Sequence, residues 1–237
     1  PMARAMALAV PALCLLCGPA NAADITLAPV TVTGTPIYPG VTAVDKAALP
    51  AKAAATSDTA RMLSDVPGLS LNGAGGVSSL PSIHGLADDR LRIKVDGMDL
   101  IASCPNHMTP ALSYIDPSNV GVLKVYAGIT PVSAGGDSIG GTIIAESRAP
   151  EFAVTGQAAI TKGEVGAFYR SNNAASGVNL SAAYATDTFN ISYIGSTAQA
   201  DNYTAGDEFK TYDFTGRQGH NLPRDEVGSS SYETNNH

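Results

Sequence analysis

Beyond Glu151 the chain breaks into short runs in which apolar and polar residues alternate. Val178, Leu180, Ala182 and Tyr184 stand against Asn179, Ser181 and Ala183, and Phe189, Ile191 and Tyr193 against Asn190 and Ser192. Val154–Ile160 and Val165–Tyr169 have the same texture. A period of two places one residue set on each face of a strand, so these runs constrain the region to a two-faced β-sheet. Strands of about 10 residues, apolar outward and polar or small inward, are what a membrane β-barrel needs. An ordinary β-sandwich shares the alternation. The polar stretch from Asn202 to Val227 reads as a long loop before a further strand near Gly228. A sheet left open at its edges cannot stand in lipid, so a longer natural barrel is expected.

The N-terminus limits where such a sheet is made. Arg4 precedes an apolar run, Ala5–Leu16, and Ala20 and Ala22 occupy the −3 and −1 positions of a cleavage site. That is the pattern of a secretory signal over residues 1–22, and the run is too short to span a bilayer as a helix. A lipoprotein site at Cys17 fits less well, because Leu16 before it is bulky. Cleavage leaves Cys104 as the single cysteine of an exported chain, in a compartment where thiols usually pair. A net charge of −7 without a basic patch excludes nucleic acid as a partner.

Between signal and barrel-like strands the chain reads as a small α+β domain with a mixed sheet. Asp24–Gly34 is a short extended segment, either a frayed terminal strand or a strand offered to another protein's sheet edge. Thr35–Thr56, rich in Pro, Ala and Gly, reads as linker. Ser57–Leu63 is expected as a short helix capped by Ser57 or Asp58 and ended by Pro67-Gly68. Leu91, Ile93 and Val95 alternate with Arg90, Arg92 and Lys94 as a half-buried strand, with a tight turn at Asp96-Gly97. Ile115–Val125 and the glycine-led Gly135–Ala145 supply two more strands. Gly135-Gly136 and Gly140-Gly141 lack a P-loop lysine and a following helix, so they read as sites of close backbone packing. Asp88-Asp89-Arg90 reads as a solvated turn. No Ser/His/Asp set or carboxylate pair suggests catalysis, so an enzyme is not expected.

Four segments, in order, resemble the TonB-dependent outer-membrane receptors. Val30–Gly34, VTVTG, is similar to the family's TonB box. Ala60–Leu69 resembles the opening of its plug domain, and Ile83-His84-Gly85 with Leu91–Gly97 its I-R-G and strand-turn element, with His84 in the usual place of Arg. Asp116–Gly128 and Gly135–Ile143 resemble the elements that close the plug. The resemblance implies a signal peptide (1–22), a TonB box and linker (23–56), a plug (57–150) and the start of a truncated transmembrane β-barrel (151–237). It further implies an outer-membrane location, lipid around the barrel, and energised uptake of a scarce ligand through pairing of Val30, Thr31, Val32 and Thr33 with TonB.

The cargo is sought in Ser103–Tyr114, SCPNHMTPALSY. Cys104, His107 and Met108 lie within five positions, and thiolate and thioether are soft donors that select Cu(I). If residues 104–108 form one helical turn, Cys104 and Met108 share a face at i and i+4. A Cys-x-x-x-Met element here also resembles the copper-transporting branch of the family, so copper is expected as transported ligand and no catalytic cofactor. A siderophore or cobalamin receptor, and an exported β-sandwich used in adhesion, are the alternatives. Packing is the ordinary role of a lone Met, and Cys104 could be a small buried hydrophobe.

Overall fold

The structure is a computed structural model and describes residues 40–73, 75–101, 107–212 and 221–237. Among these described residues twelve strands and one α-helix follow in chain order: β1 (Val41–Ala43), α1 (Leu49–Ala55), β2 (Leu69–Gly73), β3 (Ser79–Ile83), β4 (Leu86–Ala87), β5 (Leu91–Val95), β6 (Met98–Asp99), β7 (Val120–Ala127), β8 (Gly141–Ser147), β9 (Ile160–Arg170), β10 (Ala175–Ala185), β11 (Asn190–Ala200) and β12 (Tyr232–Asn236). Among the described residues no helix is long and apolar enough to cross a membrane, which says nothing of crossing by strands.

Three sheets organise these strands. The first is mixed and runs β1-β7-β8-β5-β6, with β5 and β8 parallel and the other pairs antiparallel. In central β8 the residues from Gly141 to Ile143 and Ala145 are buried, because strands flank both edges and segments cover both faces. A near-continuous apolar run is what such a position requires. Ile143 meets Ile93 on one side and Val125 on the other. These residues join Met62, Leu63, Ile83, Leu112 and Leu123 in one core. Burying each large aliphatic side chain contributes about 1.5–3 kcal/mol.

The second sheet, β2-β3-β4, and the edge of the first are turned by matching tight hairpins. His84-Gly85 and Asp96-Gly97 each have two successive positive φ angles, 50° and 80° in one and 51° and 79° in the other. Two left-handed residues give a turn whose twist suits the flanking strands. The His84 ring also packs over Gly68, where a Cβ would collide with it, and the His84 amide donates to the Gly68 carbonyl at 2.8 Å. His84 therefore fastens the Pro67-Gly68 turn to the β3–β4 turn. Asp96 likewise accepts from the Ser147 amide at 2.6 Å and hydroxyl at 2.7 Å, tying the β5–β6 turn to the end of β8.

One expectation is corrected here. The Thr35–Thr56 segment is not linker from Val41 onward: β1 pairs with β7, and the alanine-rich Leu49–Ala55 forms α1 with proline in its first turn. The short helix expected over Ser57–Leu63 forms at Thr59–Leu63, as a 3₁₀ helix capped by Asp58. The element is only five residues long, too short to propagate α-helical hydrogen bonds. Asp58 is 1% exposed, and its carboxylate accepts from the amides of Ala60 (3.1 Å) and Ser79 (3.0 Å). It thus joins the 3₁₀ segment to β3.

The third sheet is an antiparallel meander, β9-β10-β11-β12, with β9 and β12 at its free edges. The run expected from Val154 begins as strand only at Ile160; the runs at Val165–Tyr169 and Val178–Tyr184 lie within β9 and β10, and the run from Phe189 enters β11 at Asn190. The register places Val165, Leu180 and Gly195 side by side, with Tyr184 and Ile191 on the same face. That face is exposed at Val165, Val178, Leu180, Tyr184, Ile191 and Tyr193. The opposite face turns toward the first domain. Arg148 reaches Glu164 at 2.8 Å, and Asn236 reaches Asp116 at 3.0 Å. The Arg170 guanidinium donates to the Ala54 carbonyl (3.1 Å), the Ser57 hydroxyl (2.6 Å) and the Tyr232 hydroxyl (2.8 Å).

Candidate functional site

The loop after β6 begins at an ion pair. Arg92, in the middle of β5, forks onto Asp99 at the end of β6, with Nε and Nη2 2.7 and 2.6 Å from the two carboxylate oxygens. Two parallel charge-assisted hydrogen bonds make this a directional contact. The guanidinium holds the Asp99 carboxyl below the usual carboxylate range, and the carboxylate raises Arg92 in return. Arg92 Nη1 also donates to the carbonyls of Gly135 (2.5 Å) and Gly136 (3.3 Å). Gly135 has φ 131°, a backbone that favours glycine, and so aims its carbonyl at the guanidinium.

The loop ends on a firm support. Pro110, Ala111 and Leu112 are buried, and the Ser113 amide and hydroxyl donate to the Pro110 carbonyl at 3.0 and 2.7 Å. Just before it, the His107 side chain is 20% exposed, with Nε2 3.9 Å from Asp89 Oδ1. Met108 is 59% exposed. His107 and Pro110 line a cleft of about 330 Å³ with Asp88, Asp89, Arg92 and Asp137. The Asp88–Arg90 turn is exposed, as expected, and Asp88 and Asp89 also line the rim of this cleft.

Of the three residues picked out as a metal set, the structure brings His107 to the cleft and leaves Met108 exposed beside it. Cys104 lies outside the described residues, as do Val30–Thr33 and the signal segment. The condition under which Cys104 and Met108 would share a face, one helical turn over 104–108, is not met at its described end: His107 has φ 51°, which a right-handed helix cannot contain. Among the described residues no three His, Cys, Asp or Glu side chains converge as a metal group. Arg92, Asp99 and Asp137 did not stand out in the sequence. The alternation of β5 marked Arg92 only as the polar side of a strand.

Residues 39–142 match the model of the TonB-dependent receptor plug domain. These residues are the plug of a TonB-dependent receptor. The match includes β1 and α1, so the plug takes in much of the segment read as linker. In the receptor frame the mixed sheet is the plug sheet, and the meander after it is the antiparallel sheet that follows the plug. The chain superposes on the copper transporter OprC with a TM-score of 0.61 at 26% identity, over 82% of this chain and 26% of that one. The FrpB iron transporter from Neisseria meningitidis (F3-3 variant) gives 0.60 at 19% identity, over 82% of this chain and 28% of that one. The hemophore receptor HasR of Serratia marcescens, a double mutant in complex with HasA and heme, gives 0.60 at 14%, over 83% and 28%. The chain therefore spans about a quarter of the length of these structures. No curated protein matches it.

Proposed function

We propose that the chain is the plug and first barrel strands of an outer-membrane receptor that imports copper, with Val30–Thr33 pairing with TonB to draw the plug open. The observation that carries the cargo is the donor set of one loop, Cys104, His107 and Met108, whose described end stands at an open cleft. Soft sulfur donors beside imidazole suit Cu(I) better than a hard cation. The likeness to a copper transporter at 26% identity supports the same cargo.

The direction of the cleft agrees. Outer-membrane barrels carry short periplasmic turns and longer external loops. Residues 186–189 join β10 to β11, whereas residues 201–231 separate β11 from β12. By that rule the 186–189 end is periplasmic. β8 leads through Arg148 into the start of β9, at that same end. Parallel β5 therefore begins at the external end, with Asp88, Asp89 and the cleft beside it. A ligand arriving from outside meets His107 before it meets the plug core.

An iron-bearing ligand is the second reading, favoured by the carboxylates of Asp88, Asp89 and Asp137 at the cleft, hard donors that suit ferric iron better than Cu(I). The test is elemental analysis of the purified receptor with its complete barrel. Copper is expected in the wild type and lost in Cys104→Ala and Met108→Ala. Val32→Pro, which removes a backbone donor from the TonB-pairing strand, is expected to keep bound copper and lose uptake. Iron in place of copper, or copper content unchanged in Cys104→Ala, would sink the copper reading.

A further inference from the structure

One side chain ties together the segments that wall the cleft. Arg92 sits on β5, takes Asp99 at the end of β6, and takes the carbonyls of Gly135 and Gly136 in the turn before β8. Asp99 is followed directly by Leu100 and Ile101, and Gly136 directly by Asp137 and Ser138, all four at the cleft. Leu100 is partly buried against the plug core, and its amide donates to the Ile93 carbonyl at 3.3 Å. Ile101 is 84% exposed. Core packing therefore holds this side at Leu100 but not at Ile101, and the guanidinium ties it to the glycine turn across the cleft.

We infer that Arg92 is a positioning residue for the cargo cleft: its planar fork sets the distance between the Leu100–Ile101 wall and the Asp137–Ser138 wall, and so the space in which His107 meets a ligand. The glycine pair acquires a specific purpose under this inference. A side chain at Gly135 would strain a backbone at φ 131° and turn its carbonyl from Arg92. Lysine cannot replace the arginine here. One ammonium point charge reaches the carboxylate or the carbonyls, whereas the guanidinium reaches both with separate N–H groups. The placement of metal donors depends on such supporting contacts, whose loss typically weakens a site by about 10–100-fold.

The inference rests on the cleft being the cargo site, and the test separates the two. Cu(I) affinity is measured by chelator competition on the complete receptor for wild type, Arg92→Ala, Arg92→Lys and Cys104→Ala. Amide hydrogen exchange of residues 98–101 and 133–138 is followed on the same metal-free samples. Arg92→Ala is expected to bind copper about tenfold more weakly and to exchange faster in both segments, while the core strand β8 keeps its protection. Arg92→Lys is expected to restore protection in one segment and only part of the affinity. Unchanged exchange in Arg92→Ala overturns the brace itself. Wild-type copper affinity in Arg92→Ala, with affinity lost in Cys104→Ala, overturns the positioning role and leaves the copper reading intact. Faster exchange in both segments in a receptor that binds no copper supports the brace and defeats the cargo reading.

Discussion

Single residues carry unusual weight because this plug is small and its polar groups are buried with defined partners. Asp58 is the clearest case. Its carboxylate is almost wholly inside and holds two backbone amides, Ala60 and Ser79. Arg61 lies nearby, with Nε 3.6 Å from Oδ2, but its side chain is half exposed. Asp58→Ala leaves both amides without an acceptor, and each orphaned buried group costs roughly 1–3 kcal/mol. We expect Asp58→Ala to destabilise the plug by about 3 kcal/mol, with Asp58→Asn milder because its amide oxygen still accepts. The urea denaturation midpoint checks this, and equal midpoints for wild type and Asp58→Ala would refute it. The sequence showed Asp58 as a cap candidate. Its second partner, Ser79, came only with the fold, because no local pattern brings β3 to that carboxylate.

Among the elements, the meander is the one whose two faces have different solvents to meet. The exposed face carries Val165, Leu180, Tyr184 and Ile191, and the other carries Ser181, Asn179 and Glu164 toward the plug. The alternation was legible in the sequence because a strand's period of two is local geometry. Strand lengths were less so. The Val154 run alternates yet forms no strand before Ile160, and β9 extends to Arg170. Pairing with β10 decides those bounds, and pairing is not local. In lipid, Leu180→Arg is expected to cost about 2–4 kcal/mol, while Ser181→Arg on the inward face costs far less. Folding yield of the complete receptor into lipid vesicles, read by heat-modifiable gel migration, distinguishes the two. Equal yields would show that the Leu180 face does not meet lipid. β1 and α1 show the limit from the other side. Three residues beside a run of alanines carry no periodic signal, and β1 exists because β7 offers an open edge.

For the molecule as a whole, the question is what holds the plug against the meander. Hydrogen bonds form one part of that seam. Arg170 of β9 joins Ser57, Tyr232 of β12 and the Ala54 carbonyl in the last turn of α1, and Tyr232 itself donates to Ser57 at 2.9 Å. A cation at a helix C-terminus complements the helix dipole as well. A hydrogen-bonded seam can open to water without exposing a large apolar surface, since water replaces each partner. Arg170→Ala is expected to speed hydrogen exchange in residues 49–58 by about five- to thirtyfold, equivalent to about 1–2 kcal/mol of easier opening, with Tyr232→Phe giving a smaller change. Exchange rates equal to wild type would mean that the seam is held elsewhere.

Read alone, the sequence determined the order of parts: a plug with a mixed sheet, then two-faced antiparallel strands, with a donor-rich loop at Ser103–Tyr114. Those features follow from periodicity, turn chemistry and residue type, which act over a few neighbouring positions. The tertiary structure decided what that loop faces. It showed His107 across from Asp89, and Arg92 binding a carboxylate seven residues away together with two glycine carbonyls more than forty residues away. Such contacts arise when parallel pairing of β5 with β8 brings distant turns to one end of a sheet. No spacing within a single segment records that approach.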